Sequence, residues 1–117
     1  MSNKVRMRAE LFKWAAKGHF PTYSEMLQHL TPRISQGWRK EWSADLDKIS
    51  REEQSHGFPD ITFILHRADP ASPYPSQIDF RDAHVPDHKQ LQSLQRGIDE
   101  IITLYCPPGT KSPYPRV

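Results

Sequence analysis

Six histidines, one cysteine and fourteen acidic residues are the side chains from which this 117-residue chain would have to build any reaction. The densest group is His84-x-x-x-His88, with Asp82 and Asp87 beside it. A spacing of four sets two imidazoles on one helix face and suits a transition metal. Pro86 and a helix-capping Asp87 place His84 ahead of the helix that would carry His88, so these read as exposed loop histidines. For hydrolysis the nearest set of carboxylates is Pro59-Asp60 with Asp79-Phe80-Arg81. Asp60 precedes its expected strand, arginine replaces the lysine such a site would use, and spacing identifies no third acidic ligand. Cys106, alone in the chain, can form neither an internal disulfide nor a multi-cysteine metal site. Trp14, Trp38 and Trp42 would suit base stacking, but aromatic residues at helical spacing with aliphatic neighbours usually belong to a core. The expectation is therefore a non-enzymatic protein with no catalytic residues, no metal and no cofactor.

The elements that position these residues must fit one domain, since 117 residues at 36% hydrophobic content supply one core of ordinary size. No apolar run approaches the roughly eighteen residues of a membrane span, and Met-Ser-Asn-Lys-Val-Arg lacks a secretory pattern, so a cytoplasmic protein without membrane association is expected. The net charge of +2 conceals an asymmetry: residues 1–40 hold eight Lys or Arg against two acids, and the remainder holds eight against twelve. A basic front suits an anionic partner, nucleic acid before membrane.

Met7, Leu11 and Trp14 trace one face of a first helix from Lys4 to Lys17, stopped by Gly18, and Phe20-Pro21 suggests a very short strand. Thr22-x-x-Glu25 is a capping-box pattern opening a second helix with Tyr23, Met26, Leu27 and Leu30 on one face, ended by Thr31-Pro32. Trp38, Trp42, Leu46 and Ile49 predict a third helix running to about Glu53. Ile61-Thr62-Phe63-Ile64-Leu65 reads as the best strand, with Gln77–Phe80 returning after a proline-rich tip, Arg67–Pro75, to complete a hairpin. A fourth helix, 87–105, carries Leu91, Leu94, Ile98, Ile101, Ile102 and Tyr105, and residues 106–117 are too proline-rich for helix or central strand and read as an extended arm. Ser-Pro-Tyr-Pro occurs at 72–75 and again at 112–115, without longer self-similarity.

This order, three helices and then a hairpin, is that of a winged helix-turn-helix domain. Thr22-Tyr23-Ser24-Glu25-Met26-Leu27 resembles the opening of the second helix in many winged-helix proteins. Leu46-x-x-Ile49 leading to Gly57-Phe58-Pro59-Asp60-Ile61-Thr62 is similar to the helix-to-wing passage of small prokaryotic winged-helix proteins. The resemblance spans residues 5 to about 80. It implies an α+β fold, a winged helix-turn-helix of three helices plus a β-hairpin wing, here extended by a C-terminal helix and a Pro-rich tail, with residues 1–105 as the domain. The first patch also resembles the DNA-binding lobe of DNA alkyltransferases. Their reactive cysteine sits in Pro-Cys-His-Arg, whereas Cys106 sits in Tyr-Cys-Pro-Pro, so that activity is not expected.

The resemblance implies a double-stranded DNA partner and a transcription regulator. Arg39, Lys40 and Ser43 would then lie near bases or phosphates, with Gln36 reaching a base edge, Arg33 on the backbone and Arg67 on the wing. The link from Thr31 to Gly37 is longer than the turn of about three to four residues in a standard helix-turn-helix. It supports an alternative, a protein-interaction adaptor or inhibitor, such as one encoded on a mobile genetic element. Cations converging on one face would favour DNA; Glu41, Asp45, Asp47 and Glu52 lining it would favour a protein. Since a winged-helix core closes near Phe80, the stripe Leu91, Leu94, Ile98 and Ile101 needs a further cover, either the back of the first helix or the same helix of a second chain; the first helix already owes a face to the second and third, so a homodimer through the fourth is expected.

Overall fold

A computed structural model describes residues 3–30, 40–69, 73–75, 80–82, 85–86 and 88–114. Four helices carry the architecture: α1 (Asn3–Ala16), α2 (Tyr23–Leu30), α3 (Lys40–Ser55) and α4 (His88–Tyr105), with a 3₁₀ turn at Ile61–Ile64 between α3 and α4. Met7, Leu11 and Ala15, successive at a spacing of four, are fully buried on one side of α1. That stripe is shared: α1 packs against α2, α3, α4 and the 3₁₀ turn. α2 contributes Met26, Leu27 and Leu30 to the core, and α3 contributes Trp42, Leu46 and Ile49.

The capping box at the start of α2 forms as its sequence dictates. The Glu25 amide donates to Thr22 Oγ1 at 3.2 Å, and the Thr22 amide donates to Glu25 Oε1 at 3.2 Å. Two otherwise orphaned donors of the first turn are thereby satisfied.

The expected strand Ile61–Leu65 is instead the 3₁₀ turn, and this corrects the wing as read from the sequence. Asp60 caps the turn: its Oδ1 accepts from the Thr62 amide at 3.0 Å and from Thr62 Oγ1 at 2.6 Å, while its Oδ2 accepts from Ser50 Oγ at 2.6 Å. The Phe63 amide returns to the Asp60 carbonyl and the Leu65 amide to the Thr62 carbonyl, both at 3.1 Å. The backbone thus closes its hydrogen bonds locally and needs no partner strand. Beyond the turn, His66 makes a single parallel bridge to Thr22, which realises the short extended piece expected after α1. The short antiparallel pair of β1 (Phe80–Asp82) and β2 (Val85–Pro86) is the one ladder among the described residues, and it is separate from Ile61–Leu65. Gln77–Asp79, the rest of the expected returning strand, lies outside the described residues, as do Trp38 and Asp87.

α4 buries Leu91, Leu94, Ile98 and Ile101 within the single chain, against α1 and the 3₁₀ turn. The four residues expected to meet a second copy therefore form core. The cover comes from two places. Tyr105 of α4 meets Phe12 of α1 edge to face at 5.0 Å. Phe63 of the 3₁₀ turn lies over Gly97, so close that a Cβ there would stand 2.6 Å from its ring. The glycine that weakens α4 by its propensity is what lets the turn approach.

Residues 106–114 follow α4 without a further helix or strand, and Tyr114 among them returns to the core with only 4% of its surface exposed. No helix among the described residues is long and apolar enough to cross a membrane.

Two stability measurements follow from α4. Gly97→Ala gains about 1 kcal/mol of helix propensity but meets Phe63, and overpacking of about 1–3 kcal/mol is expected to leave the variant less stable in urea denaturation; a more stable variant would contradict the packing. Leu94→Ala is expected to lose about 2–5 kcal/mol with no change of mass in light scattering, whereas a dimer falling to monomer at unchanged stability would return the stripe to an interface.

Candidate functional site

The surface of α3 was the sequence-based candidate for recognition, and its inner face is fixed. Trp42, Leu46 and Ile49 are buried, and so is Glu53, at 5% exposure. Glu53 Oε1 takes Nε of Arg8 at 2.8 Å and Nη2 of the same guanidinium at 2.5 Å. One turn away on α1, Lys4 Nζ reaches Glu52 Oε1 at 2.5 Å and holds that carboxyl below the usual carboxylate range. Arg6 Nη2 donates to the Leu30 carbonyl at 2.6 Å, at the C-terminal end of α2 where a cation complements the helix dipole. Three cations of the basic front thus have partners within the fold.

The outer face of α3 exposes Glu41, Ser43, Asp47, Lys48 and Arg51, with Asp45 half-buried. Arg51 Nη2 is bound to Asp47 Oδ2 at 2.6 Å, one turn back. Over Lys40–Ser55 the helix carries three cations, Lys40, Lys48 and Arg51, against five acids, Glu41, Asp45, Asp47, Glu52 and Glu53, a net charge of −2. Of the proposed DNA contacts, Lys40 opens α3, Ser43 lies exposed on it, and Arg67 is half-buried beyond the 3₁₀ turn, its amide donating to the Tyr74 carbonyl at 3.1 Å. Arg33, Gln36 and Arg39 lie outside the described residues.

A second cluster was not legible as such. Trp14, read from the sequence as core, is half-buried between two histidines. Its ring lies 4.8 Å from His19 at 35° and 4.8 Å from His29 at 80°. Lys17 Nζ stands 6.0 Å from the indole centroid. His19 Nε2 lies 3.4 Å from Glu25 Oε2, which ties the cluster to the cap of α2. The backbone hydrogen bond from Thr22 chiefly, and His19 after it, hold the Glu25 carboxyl below its usual range. His19 sits in a turn and His29 on a different helix, so no periodicity in the sequence joins them to Trp14.

The residues once weighed for catalysis have structural surroundings. Asp60 is buried and spends its oxygens on Ser50 and Thr62. Burial pushes the Cys106 thiol up, away from the thiolate that a nucleophile requires. His88 is exposed and shares a 3.1 Å contact with Gln92, while His84 and Asp79 lie outside the described residues. No group of three His, Cys, Asp or Glu able to hold a metal occurs among the described residues. Compared with protein-family models, with curated proteins and with solved structures, the chain matches none of them.

The capping box makes stability depend on pH. Glu25 titrates lower when folded than when unfolded, so its contribution is fully present above the ordinary glutamate value of about 4.3 and is lost as the pH falls through the folded value. Glu25→Gln keeps an oxygen for the Thr22 amide but removes the charge. Its stability deficit against wild type is expected near neutral pH and should shrink as acidification protonates Glu25 in the folded state; a deficit unchanged by acid would assign it to geometry.

Proposed function

We propose that the chain is a non-enzymatic interaction domain on a winged-helix-like scaffold, and that α3 meets a protein partner presenting a basic surface. The carboxylates Glu41, Asp45 and Asp47 on the outer side of α3, apart from Glu52 and Glu53 that α1 takes up, carry this reading. A helix that enters the major groove must approach phosphates with compensating cations. Here Glu41, Asp45 and Asp47 would approach them instead, and Lys4, Arg6 and Arg8 are already committed to Glu52, the Leu30 carbonyl and Glu53. An adaptor or inhibitor is the role such a surface suits. The order α1, bridge at Thr22, α2, α3 supports the winged-helix comparison as far as the 3₁₀ turn, which stands where the first wing strand was expected.

Duplex DNA is the second reading, favoured by Lys40 at the first turn of α3, with Arg39 directly before it and Arg33 close by in the sequence. The two readings separate in one pair of assays. Tagged wild type is expected to retain a host protein that Glu41→Lys with Asp45→Lys loses at unchanged stability, and neither is expected to retard duplex DNA at about 50 mM salt. Retardation with a salt slope reflecting about three to five phosphates, weakened by Lys40→Ala, would replace the protein reading with the DNA one.

A further inference from the structure

The two Ser-Pro-Tyr-Pro segments, forty residues apart in the sequence, meet in the fold. Tyr114 of the second stacks on Tyr74 of the first, with centroids 6.1 Å apart and planes at 26°. His66 packs edge-on to Tyr114 at 6.3 Å and 89°. The Tyr114 hydroxyl donates to the Phe63 carbonyl of the 3₁₀ turn. His66 is itself fixed, with Nε2 3.1 Å from the Phe20 carbonyl and Nδ1 2.9 Å from the Arg67 carbonyl. The Arg67 amide bound to the Tyr74 carbonyl closes the loop that carries Tyr74. These parts form a slot that grips one tyrosine by its face, its edge and its hydroxyl, and every part of the slot belongs to the body of the fold.

The segment that fills the slot is held differently. After α4, Pro107 to Thr110 make a turn closed by the Thr110 amide on the Pro107 carbonyl at 3.2 Å, with Gly109 at φ 86°, a conformation that suits glycine. Thr110 touches the body at Gly18. From there to Tyr114 the chain spans a cavity of about 480 Å³, with Asp99, Ile102 and Thr103 of α4 on one side and Lys111 and Ser112 of the tail on the other. Lys111 and Pro113 are exposed. Tyr114 is the tail's one buried side chain among residues 107–114. The tail is a strap over a hollow with one deep anchor, Tyr114, set on a bend at Pro113 and Tyr114 in which the Tyr114 amide donates to Ser112 Oγ at 3.2 Å.

We propose that this slot is a recognition site for a proline-flanked tyrosine presented on a bend of another protein, and that Tyr114 occupies it in cis as a built-in competitor. The chemistry is complete in the bound tail: proline fixes the backbone just ahead of the tyrosine and lowers the entropic cost of holding it, the ring stacks, and the hydroxyl reads a backbone carbonyl. A second copy of this chain is the weaker source, because its tail offers the same contacts without the tether, whose effective concentration is of millimolar order. A different partner, bringing contacts of its own, can displace the strap. This assignment does not depend on what α3 meets.

The test uses the full chain and a synthetic peptide of residues 111–117, Lys-Ser-Pro-Tyr-Pro-Arg-Val. Tyr114→Ala is expected to bind it at least about tenfold more tightly than wild type does, as removal of a tethered competitor requires, and a peptide with phenylalanine for the tyrosine should bind more weakly. A folded Tyr114→Ala that does not bind overturns the proposal, and a doubled mass at micromolar concentration overturns the choice of a different partner over a second copy. Hydrogen exchange on wild type decides the matter without a variant. The Lys111, Ser112 and Tyr114 amides are expected to open with little denaturant dependence, before the core. If they exchange only on global unfolding, or if Tyr114→Ala does not fold, Tyr114 is core and the slot is not a binding site.

Discussion

Met7, Leu11 and Ala15 form the surface on which the other helices close, and the rest of the fold depends on keeping that surface filled from several sides. α2 rests on it through Met26, Leu27 and Leu30, α3 through Trp42, Leu46 and Ile49, and α4 through its aliphatic stripe. The 3₁₀ turn completes the enclosure by contacting α1, α3 and α4. A turn of four residues can do this because Ile61, Thr62 and Ile64 are all buried. Its buried polar groups are met locally, by the Asp60 cap and by Ser50 of α3, so the burial leaves no carboxylate without donors.

The same packing changes the meaning of the charge pattern. A front of eight cations against two acids resembles an anion-binding segment when read along the chain. In the fold, α1 lies against the acidic end of α3, and the asymmetry becomes complementarity between two helices. Arg8 with the buried Glu53 is the consequential pair, since removing the cation would leave a carboxylate out of water with its partner gone. Lys4 with the more exposed Glu52 contributes little by comparison. Two of the eight front cations, Lys4 and Arg8, thus answer the acids of α3 where α1 crosses it.

What was legible in the sequence was local. The Thr22 and Glu25 cap is decided within four residues, and the stripes of α1, α3 and α4 follow from period alone. Ile61–Leu65 was misread because five apolar residues in a row have no period, and β-propensity could not register an aspartate just ahead of them that closes the turn. For α4 the sequence offers α1 or a second copy as cover and does not decide between them. The cover that forms requires Phe63 to lie on Gly97 and Tyr105 to meet Phe12, contacts between distant parts of the chain that composition does not announce. The Trp14 cluster and the meeting of Tyr74 with Tyr114 belong to the same class. The proposed DNA contacts Arg33, Gln36 and Arg39 stay where the sequence left them.

α2 and α3 differ in how they are held, and this bears on which can serve a partner. α2 packs chiefly on α1, whereas α3 is gripped along its length: by the core through Trp42, Leu46 and Ile49, by α1 through Glu52 and Glu53, and by the 3₁₀ turn through Ser50. Its inner face is therefore committed and its outer side chains are carried on a backbone that is already ordered. Binding to such a helix need not include the cost of forming it, so modest charge complementarity can still yield specific association. A partner matched to Glu41, Asp45 and Asp47 would find them displayed on a fixed helix, and two of the pins that fix it, Lys4 on Glu52 and Arg8 on Glu53, engage cations of the basic front.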